Sequence, residues 1–453
     1  MKEKLKYERP IITKINAGVT DKFGMRPKMP AIKEIDGVPV DTIIEKYGSP
    51  TFVISEKTIR DTLKEAKRAF TTRYPKVKFA WSYKTNYLNA VCKIFHDEGS
   101  WAEVVSGFEY DKALANGVPG NQIIFNGPDK SKEDLIKAAE NGSYIHIDHF
   151  DELYDIISIS ETTTKRPKVA IRVNMDTGIY PQWDRFGFNY ENGEAWNALN
   201  RIMMSDKLEL TGLHTHIGTY MMTPEPYAVA ASKLAELAVR LERKFNHKIK
   251  YIDMGGGFAS KNTLKGAYLP GKDTFPGFDK YAEAVSNALI NSELDPNEMP
   301  VLFLETGRAL IDDAGYITGS VLANKRLANG RRSMIIDTGV NMLFTSFWYE
   351  HEIYPAKDVS SHAEDTTIYG PLCMNIDVIR SAVKFPLLQK GDKYVIKRTG
   401  AYNMTQWMQF ITLRPKIILI DTQGNTHVIR ENETNESLTS HEKVPEHLNK
   451  PKK

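Results

Sequence analysis

The chain has 453 residues, 41 % apolar and 26 % charged, a globular composition long enough for two or three domains and a sizeable core. Lys plus Arg number 60 against Asp plus Glu 57, and a balance of +3 argues against nucleic acid or an anionic membrane surface as the main partner. Only two cysteines occur, Cys92 and Cys373, which excludes a disulfide scaffold and fits a reducing compartment.

The first ten residues are too charged for a signal peptide, and no apolar run reaches the roughly 20 residues of a membrane helix. A cytoplasmic protein is therefore expected. Residues 1–30, punctuated by Pro and Gly, read as an irregular arm, and 31–50 as a segment whose 32–40 run adds a strand to a later β domain. From Thr51 short β-branched runs alternate with helix-compatible stretches. Strands are predicted at 79–83, 102–105, 122–125, 144–147, 168–173, 210–217, 251–254 and 301–304, with helices such as 132–141 and 227–245 between them. Eight such βα units predict an α/β fold, a closed (β/α)8 barrel over 51–323. The runner-up, an open doubly wound sheet, wants a glycine fingerprint after its first strand, whereas the glycine cluster here comes late. After Ala323, strand-like runs at 333–337, 393–396 and 416–420 follow without helices and predict a second, mostly β C-terminal domain over 324–429. Residues 430–453 read as a polar, loosely attached tail.

In such a barrel, chemistry sits at the C-terminal strand ends. Lys84 follows an aromatic strand; desolvation would make its amine a nucleophile toward carbonyls, although a lone lysine there is more often a surface residue covering apolar neighbours. His214 and His216 are two apart and would face one way on a strand, which suits a metal or a ring stacked on a flat cofactor. Gly255, Gly256 and Gly257 could cradle a phosphate or form a plain turn. Glu305 and Arg308 could be an anion clamp or a structural ion pair. Together, a nucleophilic lysine, a stacking imidazole, a phosphate loop and a carboxylate–arginine pair describe a pyridoxal 5'-phosphate site. Lys84 would hold the aldehyde, and the carboxylate would keep the pyridine nitrogen protonated, making the ring an electron sink.

Further motifs stand in order: Ser82-Tyr-Lys84-Thr-Asn86, Glu103-Val-Val-Ser-Gly-Phe-Glu109, Lys130-Ser131, Asp148 with Glu152-Leu153, Arg172-Val-Asn174, Arg185-Phe-Gly187, Gly212-Leu-His-Thr-His-Ile-Gly218, the three glycines, and Glu305-Thr-Gly-Arg308. Gly370-Pro-Leu-Cys373 with Asp377, and Gly400-Ala-Tyr402, complete the set in the β domain. Over residues 48–415 the sequence thereby resembles the fold-type III pyridoxal phosphate enzymes, and within them the diaminopimelate decarboxylases. The resemblance implies that Lys84 binds the cofactor and moves a proton, and that His216 stacks on the ring. It implies that Gly255, Gly256, Gly257 and Arg308 hold the phosphate, that Glu305 pairs with the pyridine nitrogen, and that Tyr402 contacts the cofactor region. It further implies a homodimer with shared active sites, in which Cys373 crosses the interface as general acid, a role suited to a thiol that ionises within reach of neutrality.

Departures from the family concentrate in the substrate pocket, expected to include Arg172, Phe347, Met374 and Asp377. The family's acidic residue after the cysteine is Met374, the arginine of its Arg-Pro-x-Leu-Tyr stretch is missing from Thr345-Ser-Phe-Trp-Tyr349, and the 174–185 loop is short. The proline of the usual Glu-Pro-Gly-Arg is Thr306, and the late Tyr-Asn is Phe410-Ile411. A charged hydrogen bond contributes roughly 1.5–3 kcal/mol, so two lost partners would leave free diaminopimelate poorly held. The expected substrate is an amino acid with an uncharged, bulky or carrier-linked distal group, which would make a carrier protein a second partner. Rival readings are an amino-acid racemase on the same fold, a metal hydrolase using His214 and His216, and a non-catalytic cofactor-binding protein. Cys92, in a predicted helix over 90–96, reads as a small buried hydrophobe.

Overall fold

The computed structural model describes residues 29–359 and 363–449; the first 28 residues of the arm expected over 1–30 and the last four residues of the tail lie outside it. Eight parallel strands form a closed barrel: Val77–Ser82, Trp101–Val104, Ile123–Phe125, Tyr144–Ile147, Lys168–Asn174, Glu209–His214, Tyr251–Asp253 and Val301–Leu304. Closure is complete because Leu302 sits opposite Val77 and Leu213 opposite Ile171. Seven of these strands match expected runs closely; the predicted 210–217 run stops at His214, where the backbone turns and Thr215 N–H reaches across to Asp253.

Each of the first seven strands leads into a helix on the outside of the barrel. The last is followed only by the short helix Arg308–Ile311, and the missing eighth cover comes from upstream, as Glu56–Thr71. That helix begins where Ser55 accepts a hydrogen bond from the Thr58 N–H, and it buries Ile59, Leu63, Ala66 and Phe70 at helical spacing. Arg73 and Asp279 tie its end to the helix Phe278–Ile290.

Inward-facing residues recur every second position along a strand, and here they form two unlike tiers. The lower is an apolar plug of Ala80, Ile124, Ala170, Tyr251 and Phe303, with Trp101 and Tyr144 against it. Two residues further along, every strand offers a polar group: Ser82, Glu103, Asn126, His146, Arg172, His214, Asp253 and Glu305, all buried. The plug seals the bottom; the polar tier is the floor of whatever binds at the mouth.

The second domain is a mostly antiparallel sheet whose long strand Gly315–Arg326 pairs with Arg332–Ile336, with Lys393–Lys397 and with Thr51–Ser55. Two boundaries therefore differ from the expected 31–50, 51–323 and 324–429 segments. The upstream strand of this sheet is Thr51–Ser55, buried on both faces between Gly315–Arg326 and Ile417–Ile420. The 32–40 run is instead folded on itself: Asp36 and Gly37, both at positive φ, turn Glu34–Ile35 back on Val38–Pro39, ahead of the helix Val40–Tyr47. That helix covers the sheet through Val40, Ile43 and Ile44 without joining it. At the other boundary the chain leaves the barrel after Leu304 and enters the sheet at Gly315. The tail carries an exposed helical turn, Asn435–Thr439, capped by Thr434.

Asp312 fastens the two domains. Its carboxylate is fully buried and accepts from Ser260 Oγ (2.5 Å), Asn262 Nδ2 (3.0 Å) and the Ala401 N–H (3.2 Å). Burial pushes this carboxyl up to about 6, against the opposing pull of Arg308 and of the bonds from Ser260 and Asn262. An acid whose folded-state value is raised contributes its stability below the unfolded value of about 4 and loses it as pH rises through about 6. The loss is on the order of 3 kcal/mol. Asp312→Asn is expected to abolish this component, so that the gap between variant and wild-type melting temperatures changes between pH 4 and pH 7 while both stay folded.

Candidate active site

Lys84 lies in the 3-10 turn Tyr83–Thr85, thrown up by the end of Val77–Ser82. Its Nζ is 2.8 Å from each carboxylate oxygen of Glu103, which rises from the polar tier of the neighbouring strand. Burial pulls this amine down, but Glu103, with Glu305 and Tyr402 behind it, more than reverses that, and the net shift is upward. Glu305 is buried just past Val301–Leu304; its Oε1 accepts from Asn126 Nδ2 at 2.6 Å and its Oε2 lies 3.4 Å from His214 Nε2.

The strand's early end separates the two histidines. His214 points into the barrel, where its ring sits 4.6 Å from that of His146, while His216 stands at the mouth with Trp183 at 5.6 Å. Burial, followed by the nearby Arg172 cation, holds both well below the usual imidazole range, so both are neutral at pH 7. The expectation that they share a strand face is corrected: the strand ends at His214, whose partners are His146 and Glu305, and that trio brings its ligand atoms within 4.8 Å of one another. Burial and the adjacent Glu305 drive the Asp253 carboxyl well above the usual carboxylate range.

The glycine run turns directly above Glu305. A Cβ on Gly256 would lie 2.6 Å from the Glu305 carbonyl oxygen, and one on Gly257, at φ +92°, would lie 2.3 Å from that of Gly218. The backbone here is as close-packed as it can be, with no side chain between it and the pocket. Arg308 faces the same space. Its guanidinium is 4.5 Å from the ring centre of Tyr402, 5.3 Å from Tyr349 and 5.7 Å from Tyr220, an aromatic cage for a cation. Arg308 Nη1 is buried and has no hydrogen-bond partner among the described residues, as is true of His216 Nδ1. Tyr402 is held at φ +65°, with its N–H bonded to the Thr85 carbonyl at 2.8 Å, so the β domain contributes a wall of the pocket.

Of the residues expected at the cofactor, Lys84, His216, Gly256, Gly257, Glu305, Arg308 and Tyr402 line one pocket, with Gly255 just behind. These donors fit pyridoxal phosphate. The lysine amine stands for the aldehyde, the unpartnered Arg308 N–H and the bare glycine backbone for the phosphate, the buried carboxylate for the pyridine nitrogen, and the His216 ring for a flat face.

The expected substrate residues are less concentrated. Arg172 is buried in the tier, 3.7 Å from Asp148, with Phe186 4.4 Å from its guanidinium. Asp377 accepts from the Val340 and Leu372 N–H groups at 2.8 and 2.7 Å and so organises the loop carrying Cys373, with its carboxylate turned away from solvent. Cys373 is exposed, Met374 half-buried, and Phe347 and Trp348 exposed in part. Cys92 is buried in Asn89–Asp97. Sequence reasoning passed over Asn126, Glu103 as the lysine's partner, and the tyrosine cage. Asn126 was findable, since it follows the strand Ile123–Phe125; Tyr220 and Tyr349 come from loops that no periodicity marks.

A family model described as "Pyridoxal-dependent decarboxylase, pyridoxal binding domain" matches residues 58–312. Diaminopimelate decarboxylase of Methanocaldococcus jannaschii is 30 % identical over 434 residues, covering 91 % of this chain and 95 % of that protein. The Bacillus subtilis diaminopimelate decarboxylase is 27 % identical over 418 residues, covering 89 % and 94 %. The crystal structure of the M. jannaschii diaminopimelate decarboxylase superimposes with a TM-score of 0.84 at 28 % identity, covering 92 % of this chain and 96 % of that one.

Proposed function

The chain belongs to the pyridoxal-dependent decarboxylases, and from that membership we propose that it removes CO2 from an amino acid whose distal end carries no charge that this pocket must pair. It is a pyridoxal-phosphate-dependent carboxy-lyase acting on an amino acid. When bound, the cofactor supplies the electron sink for the pair left by the departing CO2. The protein does the rest. Lys84 would hold the aldehyde carbon and move a proton at Nζ; Glu305 would stabilise a proton on the pyridine nitrogen; His216 would orient the ring by its face. The glycine backbone and Arg308 would hold the phosphate, and Tyr402 would close the side from the β domain. Cys373 of a second copy serves as the general acid, which makes the working form a homodimer.

The observation that carries the substrate reading is at Thr345, where the family carries its arginine. Thr345 is buried and its hydroxyl is committed to His351 Nε2 at 2.8 Å and Asn403 Oδ1 at 3.0 Å. Nothing at that position extends toward a distal carboxylate, and Met374 offers no partner to a distal amine. Phe347 and Trp348 leave apolar surface at the same turn, which suits a bulky, modified or carrier-linked group. CO2 release from a panel of free diaminopimelate, ornithine and lysine tests this; efficient turnover of diaminopimelate would sink it. Met374→Glu is expected to raise kcat/KM for ornithine or lysine about ten-fold, the effect of one restored charged contact. No described helix is long and apolar enough to cross a membrane, and we place the enzyme in the cytoplasm.

A further inference from the structure

We propose that Glu103 parks the free amine of Lys84 as an ammonium, and that Asn126 acts as a spacer that keeps this carboxylate apart from Glu305. The proposal rests on the reading of Lys84 and Glu305 as the cofactor's lysine and ring partner. Glu103 and Glu305 rise from non-adjacent strands of one polar tier, both buried. Two carboxylates in so small a space repel each other and compete for the same ammonium. The structure resolves that competition. Lys84 Nζ takes both oxygens of Glu103 at 2.8 Å, and no such contact joins it to Glu305 among the described residues. Between the two acids sits one amide: Asn126 Nδ2 donates to Glu103 Oε1 at 3.0 Å and to Glu305 Oε1 at 2.6 Å. An NH2 group has two hydrogens to give, and here one goes to each acid. The reversed amide would aim its oxygen at two carboxylates, so the orientation follows from the surroundings.

The other groups that face Lys84 do not replace Glu103. Glu305 is engaged by Asn126 and faces His214, Tyr402 approaches from the β domain, and His214 and His216 are neutral neighbours. Glu109, beyond Glu103, gives its carboxylate to the Val105 N–H. An ammonium has no lone pair for a carbonyl carbon. The pair therefore sets the pH at which Lys84 captures an aldehyde, and it leaves Glu305 free for the ring.

Two readouts on the cofactor-free enzyme test this. Competitive acetylation across pH, with the Lys84 peptide quantified by mass spectrometry, gives the amine's midpoint with no cofactor present. The rate at which the visible band grows on adding pyridoxal phosphate gives the same midpoint through capture. Glu103→Gln is expected to lower both midpoints by about one pH unit or more and to speed capture at pH 7 about ten-fold. Glu103→Asp, whose shorter arm cannot keep both contacts, should fall between. An unmoved midpoint in whichever of the two variants folds overturns the parking role. Asn126→Ala is expected to keep the Lys84 midpoint and to weaken pyridoxal phosphate binding about ten-fold; wild-type affinity overturns the spacer. Borohydride reduction and mapping keep the two levels apart. No adduct on Lys84 sinks the cofactor reading, whereas an adduct there with an unmoved midpoint sinks only the parking.

Discussion

Lys84→Ala is expected to bind pyridoxal phosphate without forming the covalent visible band and to lose turnover on the order of 10³-fold or more. Among the described residues no second amine is poised to replace it: Lys130 reaches the tier's edge, but its Nζ is committed to the Gly127 carbonyl and to Glu152 at 2.6 Å each. The fold should survive, because removing Lys84 leaves Glu103 still bonded to Asn126. The measurements are the absorption spectrum of the reconstituted variant, CO2 release under saturating substrate, and a melting curve. Wild-type colour in this variant, with an adduct mapped elsewhere, would contradict the assignment.

Gly257→Ala is expected to damage binding and stability together. The position sits at φ +92°, and the added methyl would lie 2.3 Å from the Gly218 carbonyl oxygen and 2.9 Å from the Tyr227 hydroxyl. That carbonyl belongs to backbone, and the hydroxyl is itself bonded to the Gly256 carbonyl at 2.7 Å, so neither neighbour can give way cheaply. Strain in the backbone and overlap with it cost about 3 kcal/mol together. Where the loop yields and the fold persists, the same energy appears as roughly a hundred-fold weaker cofactor affinity. Melting temperature and fluorescence titration with pyridoxal phosphate divide the loss between these two outcomes. A variant that melts and binds like wild type would show that the tight turn is not required.

The barrel was legible because its strands are apolar on both faces and its helices are spaced by charges, so period and length agree. The same regularity made the strand-end residues Lys84, Glu305 and Arg308 visible. The errors came where a local feature overrides period. Asp36 and Gly37 break a run that reads as one strand, and Thr51–Ser55 falls inside the segment expected to be barrel because burial on both faces has the same pattern in either sheet. Pairing partners more than 260 residues away decide between the two, and no local pattern carries that information. His216 was expected to share a strand with His214, but the strand ends at His214 and the chain turns before His216. The polar tier is written in the sequence as every second residue, but it becomes a tier only when eight strands are set in register.

The position of Thr51–Ser55 has a consequence for synthesis. This strand leaves the ribosome before any of the barrel, yet it is an inner strand of the other domain, flanked by Gly315–Arg326 and Ile417–Ile420. The barrel is thus an insertion within the sheet domain, and the helix Glu56–Thr71 must wait for Phe278–Ile290 as the strand waits for its neighbours. Pairings so distant along the chain fold slowly and expose edges meanwhile. Neither half can be cut away as an independent unit: truncation to the family-matched 58–312 stretch removes the whole sheet and leaves the barrel without the Asp312 contacts to the β domain, and a piece starting after Ser55 lacks an inner strand of the sheet. Folding yield, more than catalysis, should be the property most sensitive to changes near the start of this chain.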